Sequence, residues 1–475
     1  MDIDSLMFLI VLIPLLGSIF VLSSKDNTHE TFKNTEQVAL LTVFVNILLV
    51  LGLFSKTNVD TENIQHMIEY SWSFLPIFKF SFGVDIVSLI FVLSTQFAVF
   101  VGILGIRKHK QTPKSVLFYA LLYLAFLNGY FLSLDVLSFY ICFAGSLFPL
   151  YMLIALTMTE RQHKMLLRLA LHHFTGALLL LATCILILAK NDNNILISDL
   201  GDLHFVLKTG VLVWGGLFAA FVLRMPVWPF HHAMTAVAAS LKNPLAFISL
   251  HIMSVTGIYG FMRYWPLNIP AEISTLSPMF QILCLLTMIF TSVGSYVYSN
   301  TPQKLYNYVF IYDLLYLLAV FLPTSTIRMN IAYCIFSFLL ISSCLIILQS
   351  HMINQSQRAS VSIKGILCVM PRASIAYFLF MVAAIGLPVS AFFWNNFMIV
   401  SEIFNFNLYS GTLVVIVMTL AGVSLLQSFY TLKDETSVLN SDVKIKDIDV
   451  FAFTICLMLV IVLLISLVKP LWFVF

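Results

Sequence analysis

Residues 224–240 read RMPVWPFHHAMTAVAAS, and the apolar run VLVWGGLFAAFVL (211–223) comes directly before them. The stretch places an arginine and two prolines next to a segment that is apolar enough to lie within a membrane. Proline inside a helix removes a backbone hydrogen bond and opens the turn before it. Carbonyl groups freed at membrane depth are tolerated only against protein or a water-lined path. The stretch therefore predicts a helix that is interrupted near Pro226 and surrounded by protein, with the charge of Arg224 at the break.

The composition indicates which solvent surrounds the chain. Of its 475 residues, 60% are hydrophobic and 10% are charged, and the mean hydropathy is +0.98. Soluble domains carry roughly 25% charged residues. The composition is therefore typical of an all-α polytopic membrane protein. The net charge of +3 is small for this length, so we expect no nucleic-acid partner.

The cysteines and the first residues carry no signal for a cofactor or for processing. All seven cysteines fall within or beside apolar runs, and no CxxC pair occurs. They are typical of small core hydrophobes, so we expect neither a metal site nor a cofactor in this chain. The start, MDIDSLMFLIVLIPLLGSIF, is acidic and lacks a small-residue cleavage site. It predicts a retained first helix and not a signal peptide.

The apolar runs predict about fourteen transmembrane helices, because about 20 apolar residues cross a bilayer as a helix. The longest polar stretches, near 55–81 and 432–448, are predicted to be short loops, which leaves no room for a soluble domain. The predicted spans lie near 5–24, 37–54, 82–105, 115–133, 135–157, 166–190, 208–232, 244–264, 277–298, 305–323, 327–349, 376–400, 410–431 and 449–472.

The lysines and arginines predict the orientation of the chain. Cytoplasmic loops carry an excess of these cations. With both termini on the outer face of the cell (inner) membrane, seventeen of the 25 cations fall in inner loops and seven in outer loops, and Arg224 stays within the membrane. An even number of spans with both termini outside therefore fits.

A second proline repeats the pattern of the opening stretch. The run AAIGLPVSAFFWNNF (383–397) places Pro388 among apolar residues with a tryptophan nearby, as FVLRMPVWPF does for Pro226. Two interrupted spans at matching places in two halves are typical of transporters built from repeats, with the ion site at the breaks. The alternative is that both prolines are packing kinks.

Several stretches resemble one family. The run LSLDVLSFYICFAGSLFPLYMLIAL (132–156) resembles the fifth-helix region of the antiporter-like subunits of respiratory complex I, in particular the M subunit, or chain 4 type. Asp135, Pro149 and Tyr151 fit its pattern, and Asp85 fits the third-helix segment in FGVDIVSLIF. RMPVWPFHHAM and IYGFMRY resemble further motifs of this superfamily, which also contains the D subunits of Mrp-type cation/proton antiporters.

The resemblance implies a fold and an activity. It implies two inverted five-helix repeats, at 113–265 and 275–432. In this arrangement three N-terminal helices in 1–112 precede the repeats, and a loop and a last helix in 433–475 follow them. The resemblance also implies proton translocation driven by quinone reduction elsewhere in a complex. Flavin, iron–sulfur clusters and the catalytic centre would belong to partners, which would be other membrane-arm subunits in the same bilayer.

Four positions differ from what the resemblance implies for a proton path. Ala144 stands where the family has its fifth-helix glutamate, and Val255 stands where it has its eighth-helix lysine. Asn396 replaces the twelfth-helix acid or lysine, and Arg224 replaces the seventh-helix lysine. Arginine keeps its charge near neutral pH because its ordinary pKa is very high, so it can gate protons but hardly releases one. The changes put conventional pumping by this chain in question.

The remaining buried polar groups suggest a substitute relay. His231, His251 and Asp313 lie in or beside predicted spans, and histidine titrates near neutral pH. We hypothesise that these three carry protons around the fixed charge of Arg224. The alternative is that they are hydrogen-bonded core residues. Asp85 and Asp135 lie at span ends, where they are also suited to cap helices.

Three functions remain open on the sequence. The first is an antiporter-like membrane subunit of a proton-translocating NADH–quinone oxidoreductase. The second is a subunit of an Mrp-like cation/proton antiporter. The third is a non-pumping scaffold or a membrane partner in inorganic-carbon uptake, which the altered positions keep open beside the first, leading interpretation. None of the three places a catalytic centre in this chain.

Overall fold

The chain folds into a bundle of apolar helices. The computed structural model describes residues 3–24, 29–58, 63–72, 75–106, 114–189, 195–202, 207–264, 277–298, 301–322, 327–359, 363–386, 390–434 and 447–448. The α-helices are Ile3–Ser23 (α1), His29–Phe54 (α2), Ile86–Ile106 (α3), Lys114–Leu132 (α4), Val136–Gly145 (α5), Leu147–Ala155 (α6), Glu160–Leu188 (α7), Leu207–Val222 (α8), His231–Ser240 (α9), Pro244–Tyr264 (α10), Ser277–Val297 (α11), Thr301–Val320 (α12), Ile327–Ala359 (α13), Ile366–Val369 (α14), Pro371–Ile385 (α15), Ala391–Phe406 (α16) and Leu408–Lys433 (α17).

Most of the predicted spans coincide with long helices. Ten spans within the described residues are long and apolar enough to cross a membrane, so the chain is a multi-span membrane protein. The predicted span 244–264 coincides with α10 at both ends. Three other predicted spans fall on α8, α12 and the α15–α16 pair, which are shorter or more polar. The predicted span 449–472 lies outside the described residues.

Two helices are interrupted where the prolines predict it. The span predicted at 208–232 divides into α8 and α9, with Arg224 and Pro226 between them. The span predicted at 376–400 divides after Ile385, where Gly386 takes a left-handed conformation with φ of 81°. Only glycine adopts this conformation at little cost, which ends α15 there. Pro388 itself lies outside the described residues.

A third interruption was not predicted. The predicted span 135–157 coincides with one apolar stretch, Val136–Ala155, but Ser146 separates α5 from α6 within it. Pro149 lies in the first turn of α6 and has no N–H to donate to the carbonyl of Gly145, four residues earlier. The missing N–H of Pro149 accounts for this break, as the prolines account for the break after Val222, and it was not predicted from the sequence.

A β-hairpin occupies part of the stretch that was expected to be loop. Strands His66–Trp72 (β1) and Leu75–Val84 (β2) pair antiparallel. The segment alternates aromatic and polar residues, as in FKFSF, which suits a pleated strand. The helix predicted from residue 82 consequently begins only at Ile86. The description as purely all-α therefore needs this hairpin added, and we call the end of the bundle that carries it the hairpin end.

The core is formed by the central helices. Every residue in the apolar window of α10 is buried, as are 83% of those in α3 and α13. In α1, α2, α7 and α17 the buried share is 39%. The outer helices therefore present apolar side chains to their surroundings, whereas polar groups on α10 must find partners within the protein.

Candidate functional site

Arg224 lies buried at the first helix interruption, with 1% of its surface exposed. Its Nη1 donates a hydrogen bond to Oγ1 of Thr256 on α10 at 3.0 Å. Its Nη2 donates to the backbone carbonyl of Phe143 and, at 3.2 Å, to the hydroxyl of Ser146. The guanidinium carbon lies 3.4 Å from the centre of the Phe143 ring. The side chain thus joins the break between α8 and α9 to the break between α5 and α6.

Neutral acceptors stabilise this charge. Among the described residues Arg224 forms no ion pair with a carboxylate, and its Nε has no hydrogen-bond partner. The carbonyl end of α5 carries partial negative charge, and the face of the Phe143 ring attracts a cation. Ala144, where the family resemblance implies a glutamate, is the next residue. The arginine is therefore held by a helix end and an aromatic ring in a place where an acid would otherwise neutralise it.

Gly257 permits the close approach that brings Arg224 to Thr256. A Cβ atom at Gly257 would lie 2.6 Å from Cγ of Met225 and 3.1 Å from the carbonyl oxygen of Phe221. A side chain there would push the break between α8 and α9 away from α10. Opposite α10, the backbone N–H of Trp228 donates to Oγ1 of Thr287 on α11 at 3.1 Å. The open turn is therefore held by side chains from two neighbouring helices.

A buried acid–base pair lies deeper on α10. Nε2 of His251 lies 3.2 Å from Oδ1 of Asp313 on α12, and its Nδ1 lies 3.2 Å from the hydroxyl of Ser342 on α13. All three residues are at most 1% exposed. Oδ2 of Asp313 has no hydrogen-bond partner among the described residues. The geometry allows the proton of the pair to sit on either the imidazole or the carboxyl group.

Helix α10 connects the two polar centres. Thr256 follows His251 by five residues, which corresponds to about 7.5 Å along a helix axis. The hydroxyls of Ser249 and Ser254, also on α10, are buried without a hydrogen-bond partner in the described part of the chain. Tyr130 donates to the carbonyl of Thr256 at 2.9 Å. One helix thus carries buried polar groups on both sides of His251, with Ser254 between the acid–base pair and the Thr256 contact of the arginine.

The other expected path residues lie apart from this pair. His231 begins α9 and is 6% exposed, and its ring centre lies 4.0 Å from that of His232. Asn396 donates to the carbonyl of Phe392 in its own helix at 2.8 Å. Within the described residues neither forms a hydrogen bond with His251 or Asp313. The structure therefore brings together two of the three expected relay residues.

The aspartates that match the family motifs hold the hairpin end together. Asp135 accepts from the backbone N–H of Ser138 at 2.7 Å, as the N-cap of α5, and from that of Ser81 in β2 at 2.8 Å. Asp85 accepts from the N–H of Ser88 at 3.2 Å and forms an ion pair with Arg263 at 2.8 Å. Both carboxylates thus cap helices and bind neighbouring segments.

The remaining motif residues lie in α6, the helix that follows the break at Ser146. Pro149 and Tyr151 are buried in α6, and the hydroxyl of Tyr151 hydrogen-bonds Nδ1 of His173 on α7. The sequence reasoning missed Ser146, Thr256 and Ser342, which complete the two polar centres. Hydroxyl residues are common in apolar helices, where they bond their own backbone, so their spacing gave no signal.

The fold and site define a multi-span membrane protein with a polar centre at its helix breaks. Residues 133–423 match the family described as NADH:quinone oxidoreductase/Mrp antiporter, transmembrane. This match covers more than half of the chain, and the chain belongs to that family.

Similar proteins extend over most of the sequence. NADH-quinone oxidoreductase subunit M of Rickettsia bellii (strain RML369-C) is 23% identical over 426 residues, covering 88% of this chain and 86% of the relative. NADH-ubiquinone oxidoreductase chain 4 of Marchantia polymorpha is 24% identical, covering 86% and 83%. These relatives have the subunit type that the motifs between 82 and 264 resemble.

Two solved structures share the fold. A chain of respiratory complex I from Thermus thermophilus with bound NADH superposes with a TM-score of 0.83 at 20% identity, covering 98% of this chain and 96% of that chain. A chain of the membrane-bound sulfane sulfur reductase, an archaeal respiratory membrane complex, superposes with a TM-score of 0.82 at 17% identity, covering 96% and 75%. At these identities the likeness establishes the fold alone.

Proposed function

We propose that this chain is an antiporter-like membrane subunit of a proton-translocating NADH–quinone oxidoreductase. The observation that carries the proposal is the family match over residues 133–423, together with relatives named subunit M and chain 4 that align along most of their own length. The chain contributes to proton translocation, and flavin, iron–sulfur and quinone chemistry belong to its partners. Those partners are other membrane-arm subunits.

The finer architecture is part of the same proposal. Fourteen spans, with both termini on the outer face of the inner membrane, contain two inverted five-helix repeats at 113–265 and 275–432. The interruption between Val222 and His231 and the interruption between Ile385 and Ala391 support this arrangement, because each lies in one of the two proposed repeats. The excess of cations in the predicted inner loops supports the orientation.

Purification with native partners tests the assignment. The tagged full-length chain is extracted from its native membrane in mild detergent, its companions are identified, and NADH-to-quinone activity is assayed. We expect a large assembly that oxidises NADH. The family also contains Mrp antiporters, and recovery with small membrane subunits alone would favour that second function. Recovery without companions would favour the scaffold or carbon-uptake alternative, which Ala144 and Val255 suggest.

Within this function we propose that His251 and Asp313 form the central proton relay. Two states of the pair differ by the position of one proton: a neutral imidazole beside a protonated carboxyl, or an imidazolium beside a carboxylate. In both states Nδ1 carries a hydrogen and donates to the hydroxyl of Ser342, which itself donates to the carbonyl of Leu339 at 3.1 Å. Arg224 carries a fixed positive charge that biases the proton between the two ends of α10. His231 and Asn396 extend this path at the helix breaks.

Proton uptake in sealed vesicles tests the relay. We expect His251→Phe and Asp313→Asn each to slow proton transfer through this chain by about a hundredfold, the low end of what a positioned acid or base contributes, and so to lower the protons moved per NADH oxidised. The double variant should be no worse than either single one, because both changes remove the same unit. The matched control is His172→Phe, at a half-buried histidine that bonds the carbonyl of Arg168 in its own helix and packs on Phe230. Unchanged proton yield in assembled His251→Phe and Asp313→Asn complexes would sink the relay.

A further inference from the structure

A cavity of about 300 Å³ lies at the hairpin end, between the start of α3, the end of α10 and the start of α13. Two arginines and one aspartate line it: Arg263, Arg328 and Asp85. Arg263 is neutralised, because its Nη1 lies 2.8 Å from the carboxylate of Asp85. Arg328 lies in the first turn of α13 and forms no ion pair or hydrogen bond within the described residues. The cavity therefore has one uncompensated positive charge.

The walls of the cavity are divided between apolar and polar groups. Val87, Leu134 and Met262 form a buried apolar part, with 7%, 3% and 4% of their surfaces exposed. Asn63 and Ser198 are exposed at the polar rim. The N-terminal end of the 33-residue α13 adds partial positive charge beside Arg328. A ligand that fits has an anionic group at the rim and tolerates an apolar surface beneath it.

We propose that this cavity binds a phosphate-type oxyanion, with the Arg328 guanidinium as its principal hydrogen-bond donor. Guanidinium presents a planar pair of N–H groups that matches two oxygens of such an anion. The Arg263–Asp85 pair forms a fixed wall and supplies no net charge. The oxyanion belongs either to the headgroup of an anionic phospholipid or to free phosphate. The site is independent of the proton relay, which lies deeper in the bundle.

Native mass spectrometry distinguishes the two sources. The full-length chain, with the partners it purifies with, is placed in nanodiscs of phosphatidylcholine with or without phosphatidylglycerol, and the phosphatidylglycerol retained per complex is measured. In a second arm, inorganic phosphate is titrated against chloride at matched ionic strength, and the midpoint of thermal unfolding is followed. We expect wild type to retain phosphatidylglycerol, and Arg328→Gln to lower its occupancy by about tenfold, the effect of losing one charge-assisted bidentate contact.

Two further variants keep the proposal falsifiable. Arg168→Gln removes an exposed arginine on α7 and should retain the ligand as wild type does. Arg328→Lys keeps the charge and should bind with intermediate affinity, even if Arg328→Gln assembles poorly. An Arg328-dependent response to phosphate without lipid retention would assign the site to free phosphate. Equal ligand loss in the Arg168 and Arg328 variants, or no response of wild type to either ligand, would overturn the site.

Discussion

At the residue scale, Arg224 is the group with the most unusual surroundings. A charge taken from water into the membrane interior is costly, and the cost falls as its N–H groups find acceptors. Here the guanidinium binds one backbone carbonyl and two hydroxyls, from α5, from Ser146 at the α5–α6 break and from α10, and it lies on an aromatic ring. Lysine would present a single ammonium in place of this planar fork. The arginine therefore fits the altered site, in which Ala144 supplies no carboxylate.

Substitution of Arg224 should destabilise the bundle. Arg224→Ala leaves the carbonyl of Phe143 and the hydroxyls of Ser146 and Thr256 without their donor and opens a cavity, which should cost about 3–5 kcal/mol. Arg224→Lys should cost less, because the ammonium reaches some of the same acceptors. The midpoint of thermal unfolding in detergent and the amount of assembled protein in the membrane measure this. Arg168→Ala is the exposed control, and an equal response of both sites would contradict the prediction.

At the element scale, prolines interrupt helices and other helices supply the missing bonds. Pro14 lies inside α1 and cannot donate to the carbonyl of Ile10, four residues earlier. Two amides replace that donor: Nδ2 of Asn46 on α2 at 3.1 Å and Nδ2 of Asn128 on α4 at 2.8 Å. The proline thus converts a bond within one helix into bonds among three. It explains why two fully buried asparagines point at the same carbonyl.

A rescue experiment tests this exchange of donors. Asn46→Leu combined with Asn128→Leu leaves the Ile10 carbonyl unsatisfied and should lower the free energy of unfolding by about 2 kcal/mol. The loss is no larger because the two unpaired Oδ1 atoms are removed as well. Adding Pro14→Ala restores a backbone donor and should recover about 1 kcal/mol. In the wild-type background the same Pro14→Ala change should have almost no effect. The midpoints of thermal unfolding of the wild type, the double-leucine variant and the two corresponding Pro14→Ala variants measure these differences.

Additive effects of the proline and asparagine substitutions would refute the proposed exchange of donors at the carbonyl of Ile10. If Pro14→Ala shifted stability equally in both backgrounds, the asparagines and the proline would be independent. Asn34→Leu, at an exposed position of α2, serves as the control for the asparagine-to-leucine change itself. It should shift stability by less than about 0.5 kcal/mol.

At the scale of the whole molecule, the two ends of the bundle differ. The hairpin end combines β1 and β2 with the Asp85–Arg263 ion pair and the segment around Ser198, whose neighbour Ile197 donates to the carbonyl of Leu134. The opposite end carries Cys368, an exposed thiol near the end of α17, where Sγ lies 3.1 Å from the carbonyl of Lys433. The proposed orientation puts the hairpin end outside and Cys368 inside.

Thiol labelling in intact cells measures this orientation. A membrane-impermeant maleimide should leave Cys368 of the wild type unlabelled until the cells are permeabilised. Ser198→Cys in a Cys368→Ser background should be labelled from outside without permeabilisation, because residue 198 is exposed at the hairpin end. The reverse pattern would invert the topology. Labelling of both thiols in intact cells would contradict a bilayer between the two ends.

Helices and breaks that are set by neighbouring residues could be predicted from the sequence, and those that depend on distant segments could not. The predicted span 244–264 coincides with α10, whereas the helix predicted from residue 82 begins at Ile86 because a strand precedes it. The break at Ser146 was missed although Pro149 follows it, since a proline in the first turn of a helix and a proline within a helix look alike in sequence. The hairpin was missed because its short alternating run is no longer than many loops.

The sequence by itself was sufficient to predict that the chain lies in a membrane, which family it belongs to, and where two of its helices are interrupted. Apolar length and the missing N–H of proline act within a few residues, so they can be read along the chain. Only the tertiary structure decided which groups meet. His251 pairs with Asp313 across 62 residues, and Arg224 finds its acceptor at Phe143 across 81. These contacts depend on how whole helices pack, and a buried polar group takes whichever partner that packing brings within reach.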